Sequence, residues 1–262
     1  MALTRSTPWA LTLSGTSRPI EQESLRIFNE PTEDRLRSGG QIRDDLIQIV
    51  GKRPAIRAVL TDPTLVTAFQ LFGAGKTYTS MAAVWQDYAS NAGLAATYNS
   101  YTLANGILLP VSIQAGPREH AKIEVLGLGI MTAGVGFVIG TTSAASATNT
   151  AAYYPGSVTV GGASIGNMVS IQHNWNYQVQ DDDQLEPAYY YYDRAAETGT
   201  MVLKDLDKVT VARLEDGATE AVVLNFDDAN SAGTQAFSLG NCKVFIEIDG
   251  KNAQLTYERL AA

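Results

Sequence analysis

One cysteine and two histidines in 262 residues withhold several kinds of chemistry. Cys242 has no second cysteine for an intramolecular disulfide, and beside Lys243, Val244 and Phe245 it reads as the buried start of a strand. His120 and His173 stand far apart, without cysteine or carboxylate at metal-ligand spacing, so no metal and no cofactor is expected. No Gly-x-Ser-x-Gly elbow occurs. Gly73-Ala74-Gly75-Lys76-Thr77 lacks the earlier glycine of a phosphate loop, having Gln70 there, and Gly127, Gly129, Gly134 and Gly136 do not fit the dinucleotide fingerprint. The chain does not read as an enzyme.

Basic residues are scarce: 19 Lys and Arg against 27 Asp and Glu leave a net charge of -8. That balance opposes adhesion to free nucleic acid and to anionic membrane. Residues 1–17 hold no continuous apolar run and are broken by Pro8 and Gly15, which is not the pattern of a signal peptide. The best membrane segment, Val125 to Ile139, is glycine-rich and shorter than the roughly 20 residues of a spanning helix. It reads better as a strand pair and loop.

The most informative absence is of charge altogether. From Val125 to Gln180 there is no Asp, Glu, Lys or Arg, and the span ends abruptly in Asp181, Asp182 and Asp183. A neutral stretch of that length in an acidic protein suggests surface covered by something else, most simply another copy.

What is present reads mainly as strands. Residues 1–40 read as an arm interrupted by Pro8, Pro19 and Pro31. Ile42 to Val50 and Ala55 to Leu60 form a hairpin around Gly51-Lys52-Arg53-Pro54, followed by a helix that Asp62 caps and Pro63 opens, running to Gly73. The spacing of Met81, Val84, Trp85 and Tyr88 predicts a second helix over 80–91. Strands follow over Thr102 to Ile113 and Ala121 to Leu128, then Ser157 to Val160, Met168 to Val179, Ala188 to Tyr192, Met201 to Leu203, Lys208 to Leu214, Glu220 to Phe226 and Cys242 to Ile248. Met168 to Val179 alternates strictly: Val169, Ile171, His173, Trp175, Tyr177 and Val179 share one face, and Ser170, Gln172, Asn174, Asn176 and Gln178 the other. A face of amides and hydroxyls is wet but weakly sticky, as a channel wall or a broad intersubunit sheet requires.

Arg53-Pro54-Ala55 matches Glu186-Pro187-Ala188, and Lys122-Ile123-Glu124-Val125 matches Lys243-Val244-Phe245-Ile246, at offsets that agree to within a loop. The chain therefore divides into the arm (1–40), a first β unit (41–140) and a second (141–262), the second either a tandem duplicate of the first or an extra domain.

On these residues, from the strand, proline and strand of Ile42 to Leu60 to the alternating strand Met168 to Val179 with its partner Ala188 to Tyr192, the chain resembles the tail tube (major tail) proteins of long-tailed bacteriophages. It departs from them in its length and in the arm before the first strand pair. The resemblance implies a β-sandwich or barrel unit with flanking short helices, and a structural virion protein whose stacked rings form the hollow tube through which DNA passes without specific binding. Rings would be trimers with pseudo-sixfold symmetry, or hexamers, assembled in the host cytoplasm into the phage tail. Other partners would be the tape measure and terminator proteins, with no membrane. Val169, Ile171, Trp175 and Tyr177 mark the candidate intersubunit strand. Asp181, Asp182, Asp183 and Glu186 mark a candidate acidic ring in the lumen or at a subunit junction. The alternatives are a tail-tip, connector or capsid decoration protein, or a membrane-active β protein.

Overall fold

The computed structural model describes residues 5–21, 23–36, 46–62, 76–78, 80–88, 95–103, 105–130, 136–142, 152–181, 190–194, 196–207, 211, 214, 217–228 and 233–260. The expected β content is present, and it goes further than expected. The strands are β1 (Arg5–Leu13), β2 (Thr16–Pro19), β3 (Arg26–Leu36), β4 (Leu46–Leu60), β5 (Lys76–Tyr78), β6 (Met81–Tyr88), β7 (Ala95–Leu103), β8 (Gly106–Ala115) and β9 (Lys122–Gly129) in the first half. The second half adds β10 (Val138–Thr142), β11 (Tyr153–Val160), β12 (Ala163–Asn174), β13 (Tyr177–Asp181), β14 (Tyr190–Arg194), β15 (Thr198–Lys204), β16 (Ala218–Asp228), β17 (Thr234–Asp249) and β18 (Asn252–Arg259).

The later strands close on themselves. Their order is β11-β16-β17-β18-β15-β12, and β11 also pairs with β12, giving a six-stranded antiparallel barrel. A two-residue turn with positive φ at both Gly161 and Gly162 joins β11 to β12, a geometry that glycine adopts without strain and that matches strand twist. Bulges bend the wall: the register slips between Met168 and Ser170 of β12 and between Val222 and Val223 of β16. The interior is apolar, with Phe226, Phe237, Leu239 and Leu255 essentially inaccessible, and it encloses His173, whose Nδ1 lies 2.8 Å from the Tyr257 hydroxyl.

The earlier strands form two facing sheets. One has the order β10-β7-β6-β1-β2; the other, β8-β9-β4-β3, continues from the barrel because the end of β12, Ile171 to Asn174, pairs with β8. Met81 of β6 lies over Gly106 and Gly127 of β8 and β9, where a Cβ would strike it. The two sheets are tied at one side by the bridge from Ile20 to Leu60 and by the Thr61 amide donating to the Pro19 carbonyl. One hydrophobic core runs through sandwich and barrel together.

Several expectations are corrected. The arm is folded, its residues 5–36 forming β1, β2 and β3. Gly51 to Pro54 make no turn; they lie inside β4, where the register against β3 slips at Thr32/Glu33, and Pro54 stands one residue before β9 begins to pair, a position that tolerates proline. The predicted helix over 80–91 is β6, paired with β1 and β7. Because both faces of β6 are covered, Met81, Ala83, Val84 and Gln86 are all buried, and that irregular run imitates helical spacing. The helix expected after Asp62 lies outside the described residues. Val211, expected in a strand, is helical, its amide donating to the Asp207 carbonyl. Cys242 sits in the middle of β17, not at its start.

Tandem duplication is not supported. Lys122–Val125 lies in β9 between β8 and β4, whereas Lys243–Ile246 lies in β17 inside the closed barrel. The two segments look alike because each buries alternate residues, Ile123 and Val125 in one and Val244 and Ile246 in the other.

Two predictions follow from the barrel interior. A Cβ on Gly199 would run into the Tyr257 ring, which is itself packed against β15, so Gly199→Ala should cost about 1–3 kcal/mol in urea unfolding. Burial pushes the Cys242 thiol from 9.0 up to about 12 and the Tyr257 phenol well above its usual value. Both groups must stay neutral in the fold, so their contribution is intact below pH 9 and declines as the unfolded thiol ionises and the folded one does not. Stability should fall above about pH 9 with a slope approaching 1.4 kcal/mol per pH unit from the thiol, and Cys242→Val should flatten that slope.

Candidate assembly surfaces

The exposed face of the long sheet is built by register. Gln114 of β8 pairs with Gln172 of β12, Gln172 with Thr200 of β15, Thr200 with Thr256 of β18, and Thr256 with Phe245 of β17. One step along, Ser112, Asn174, Thr198, Glu258 and Lys243 form a second row. Amides and hydroxyls occupy the centre, and charge is displaced to the margins. At one margin Glu124 accepts a hydrogen bond from Arg57 Nε at 2.6 Å, and Lys122 pairs with Glu21. At the other the Lys243 ammonium lies 5.2 Å from the Phe245 ring centre. Shallow grooves of about 400 and 290 Å3 lie on this face, meeting at Gln172. It hydrates well and offers no row of cations to hold phosphates.

Two strand pairs extend beyond the sheets. Beyond Pro54, toward Leu46, β4 pairs only with β3 among the described residues, because its pairing with β9 starts at Ala55. The hairpin of β13 and β14 pairs with no other strand among the described residues. Its inner side is seated: Tyr177 and Val179 pack on a small second core of Ala55, Leu109 and Leu128, flanked by Phe28, Ile107 and Leu126. A two-stranded ribbon is marginal in water without such support.

The predicted strand Met168 to Val179 is therefore two strands, with a break at Trp175–Asn176 where Asn176 has φ of 52°. The expected polar face is solvent-facing: Gln172, Asn176 and Gln178 are exposed. On the apolar side Ile171 and Trp175 belong to the chain's own core, Trp175 within 5.7 Å of Phe237 between ring centres. Val169, expected with them, is only half-buried, because the bulge gives its place to Met168. Tyr177 serves the second core. Asp181 closes β13 opposite Tyr190, and Asp182, Asp183 and Glu186 lie outside the described residues.

No protein-family profile matches this chain, and no curated protein does. Among the described residues no group of three His, Cys, Asp or Glu side chains is placed to hold a metal ion, and no helix is long and apolar enough to cross a membrane. Sequence reading missed β10 as an exposed edge: it pairs only with β7 among the described residues, and Val138 and Ile139 are 54% and 68% exposed. The signal was available in the run Val138-Ile139-Gly140-Thr141-Thr142, β-prone and uncharged.

Tyr177→Ala combined with Val179→Ala should release the hairpin from its seat. Amide exchange in β13 and β14 should rise at least about tenfold while the barrel amides keep their protection. Equal protection of the hairpin in wild type and variant would show that the second core does not hold it.

Proposed function

We propose that this chain is a self-assembling structural protein of the phage tail-tube kind, forming rings that stack into a hollow conduit for DNA. The observation that carries this reading is the wide polar face across six adjacent strands, whose hydrogen-bonded backbone makes it stiff and whose neutral centre gives passing polyanion little to bind. The two ribbons and the net charge of -8 fit the same reading. A ribbon supported on one side is completed by a neighbouring subunit, and an acidic wall repels DNA rather than retaining it. The sequence resemblance to tail tube proteins supplies the identity of the assembly. In that setting the Asp181 to Asp183 cluster, following the β13 ribbon, would add negative charge to the lumen or a subunit junction.

Negative-stain microscopy of purified protein across a concentration series tests the proposal: stacked rings or hollow tubes with threefold or sixfold averages are expected. A single closed ring at every concentration would move the chain to a connector or decoration role. Neutralising the cluster with Asp181→Asn, Asp182→Asn and Asp183→Asn should leave thermal unfolding unchanged and slow DNA release, most at low ionic strength where charge is least screened. Release kinetics equal to wild type at every salt concentration would remove the cluster from the lumen.

A further inference from the structure

We propose that the free edge of β10 is the seam at which a second copy of this chain adds to the five-stranded sheet. The inference rests on the assembly reading above but selects one surface for it.

Other free edges are protected. β2 is tied to β4 through the Ile20–Leu60 bridge and the hydrogen bond from Thr61 to Pro19. The barrel is closed. β5 has three residues and begins with Lys76. The sequence of β3 carries Glu30, Glu33, Asp34 and Arg35, and the β13–β14 hairpin carries Asp181, Asp193 and Arg194, the charges by which proteins blunt an edge. β10 has none of these devices. It contains no charge and no proline, and its register with β7 runs without a bulge from Val138 opposite Thr102 to Thr142 opposite Tyr98. Successive residues of a strand point to opposite faces, yet Val138 and Ile139 are both exposed, so neither face of β10 is covered.

The surroundings favour a copy of the same chain. Two acidic molecules repel, and contact between them costs least where charge is missing; β10 lies within the neutral span, and β7, Ala95–Leu103, is neutral as well. A five-residue strand is too small for a stable interface by itself. Aromatics of the kind enriched at interface centres flank the edge on both faces: half-buried Tyr101 stands opposite Ile139 with Trp85 edge-on to it at 5.5 Å where both meet the core, and on the other face Tyr98 stands opposite Thr142 with Trp9 edge-on to it at 5.5 Å. Backbone pairing supplies the bonds, and Ile139 with its aromatic neighbours supplies the apolar contact.

Ile139→Lys adds charge to this edge at a side chain that the fold leaves in solvent, so circular dichroism and thermal unfolding should match wild type. Sedimentation velocity across a concentration series should show self-association weakened at least about tenfold. Hydrogen exchange should show β10 amides protected in assembled wild-type protein and unprotected in the variant. Rings or tubes that form equally with Ile139→Lys would overturn the seam and leave the tube reading in place. Association that depends on Ile139 but stops at dimers would uphold the seam and overturn the tube. A wild-type protein that stays monomeric throughout, with β10 amides exchanging freely, would overturn the seam.

Discussion

Strand β12 belongs to two structures at once, and the arrangement of the chain follows from how its two edges are used. Along one edge it bonds to β15; along the other it bonds first to β11, which closes the barrel, and then to β8, which begins the sandwich sheet. A strand has only two edges, so the change of partner between Asn167 and Ile171 is where barrel and sandwich separate. The bulge at Met168/Ser170 falls in that interval and bends the strand there. The Trp175 amide then donates to the Val111 carbonyl, beside the bulge of β8, which fixes the end of β12 before the chain turns into β13.

That shared strand explains why one face of the molecule can be broad, flat in chemistry and rigid. The rows from Gln114 to Phe245 cross β12 without interruption, so polar side chains from sandwich and barrel lie on one continuous ladder. Ser112 is buried within it, accepting from Gln114 Nε2 at 3.2 Å and lying 3.5 Å from Glu124 Oε2. The buried carboxylate Glu197 is matched by Arg259 at 3.0 Å, one residue beyond the row through Thr198 and Glu258. Polar atoms are thus admitted to the interior with their partners beside them.

The strand content of the second half was legible in the sequence because its barrel strands bury one face only, and alternate residues reveal it: Val222, Leu224 and Phe226, or Val244 and Ile246. The face of Gln172, Asn176 and Gln178 was legible for the same reason. What failed was everything that depends on partners distant in sequence. β6 imitates a helix because both its faces are covered, and residues 5–36 look like an arm because each short strand is stable only against β4, β6 or its own hairpin partner. Val169 fell on the wrong face because a bulge shifts the count by one, which no periodicity announces.

The described residues of the neutral span meet three fates, with different physical reasons for avoiding charge. Val125, Leu128, Val158, Val160, Ile165 and Ile171 avoid it because they are core. Gln172, Asn174 and Asn176 avoid it on the solvent side, where a charge would cost nothing to hydrate, so stability does not explain their neutrality. Val138 to Thr142 avoid it along an open edge, where charge would normally be favoured as protection. Only the first group is accounted for by folding. Neutrality on the wet face and on the bare edge runs against what a monomer needs, and both are explained together if the edge is joined to another copy and the face lines a passage for something highly charged.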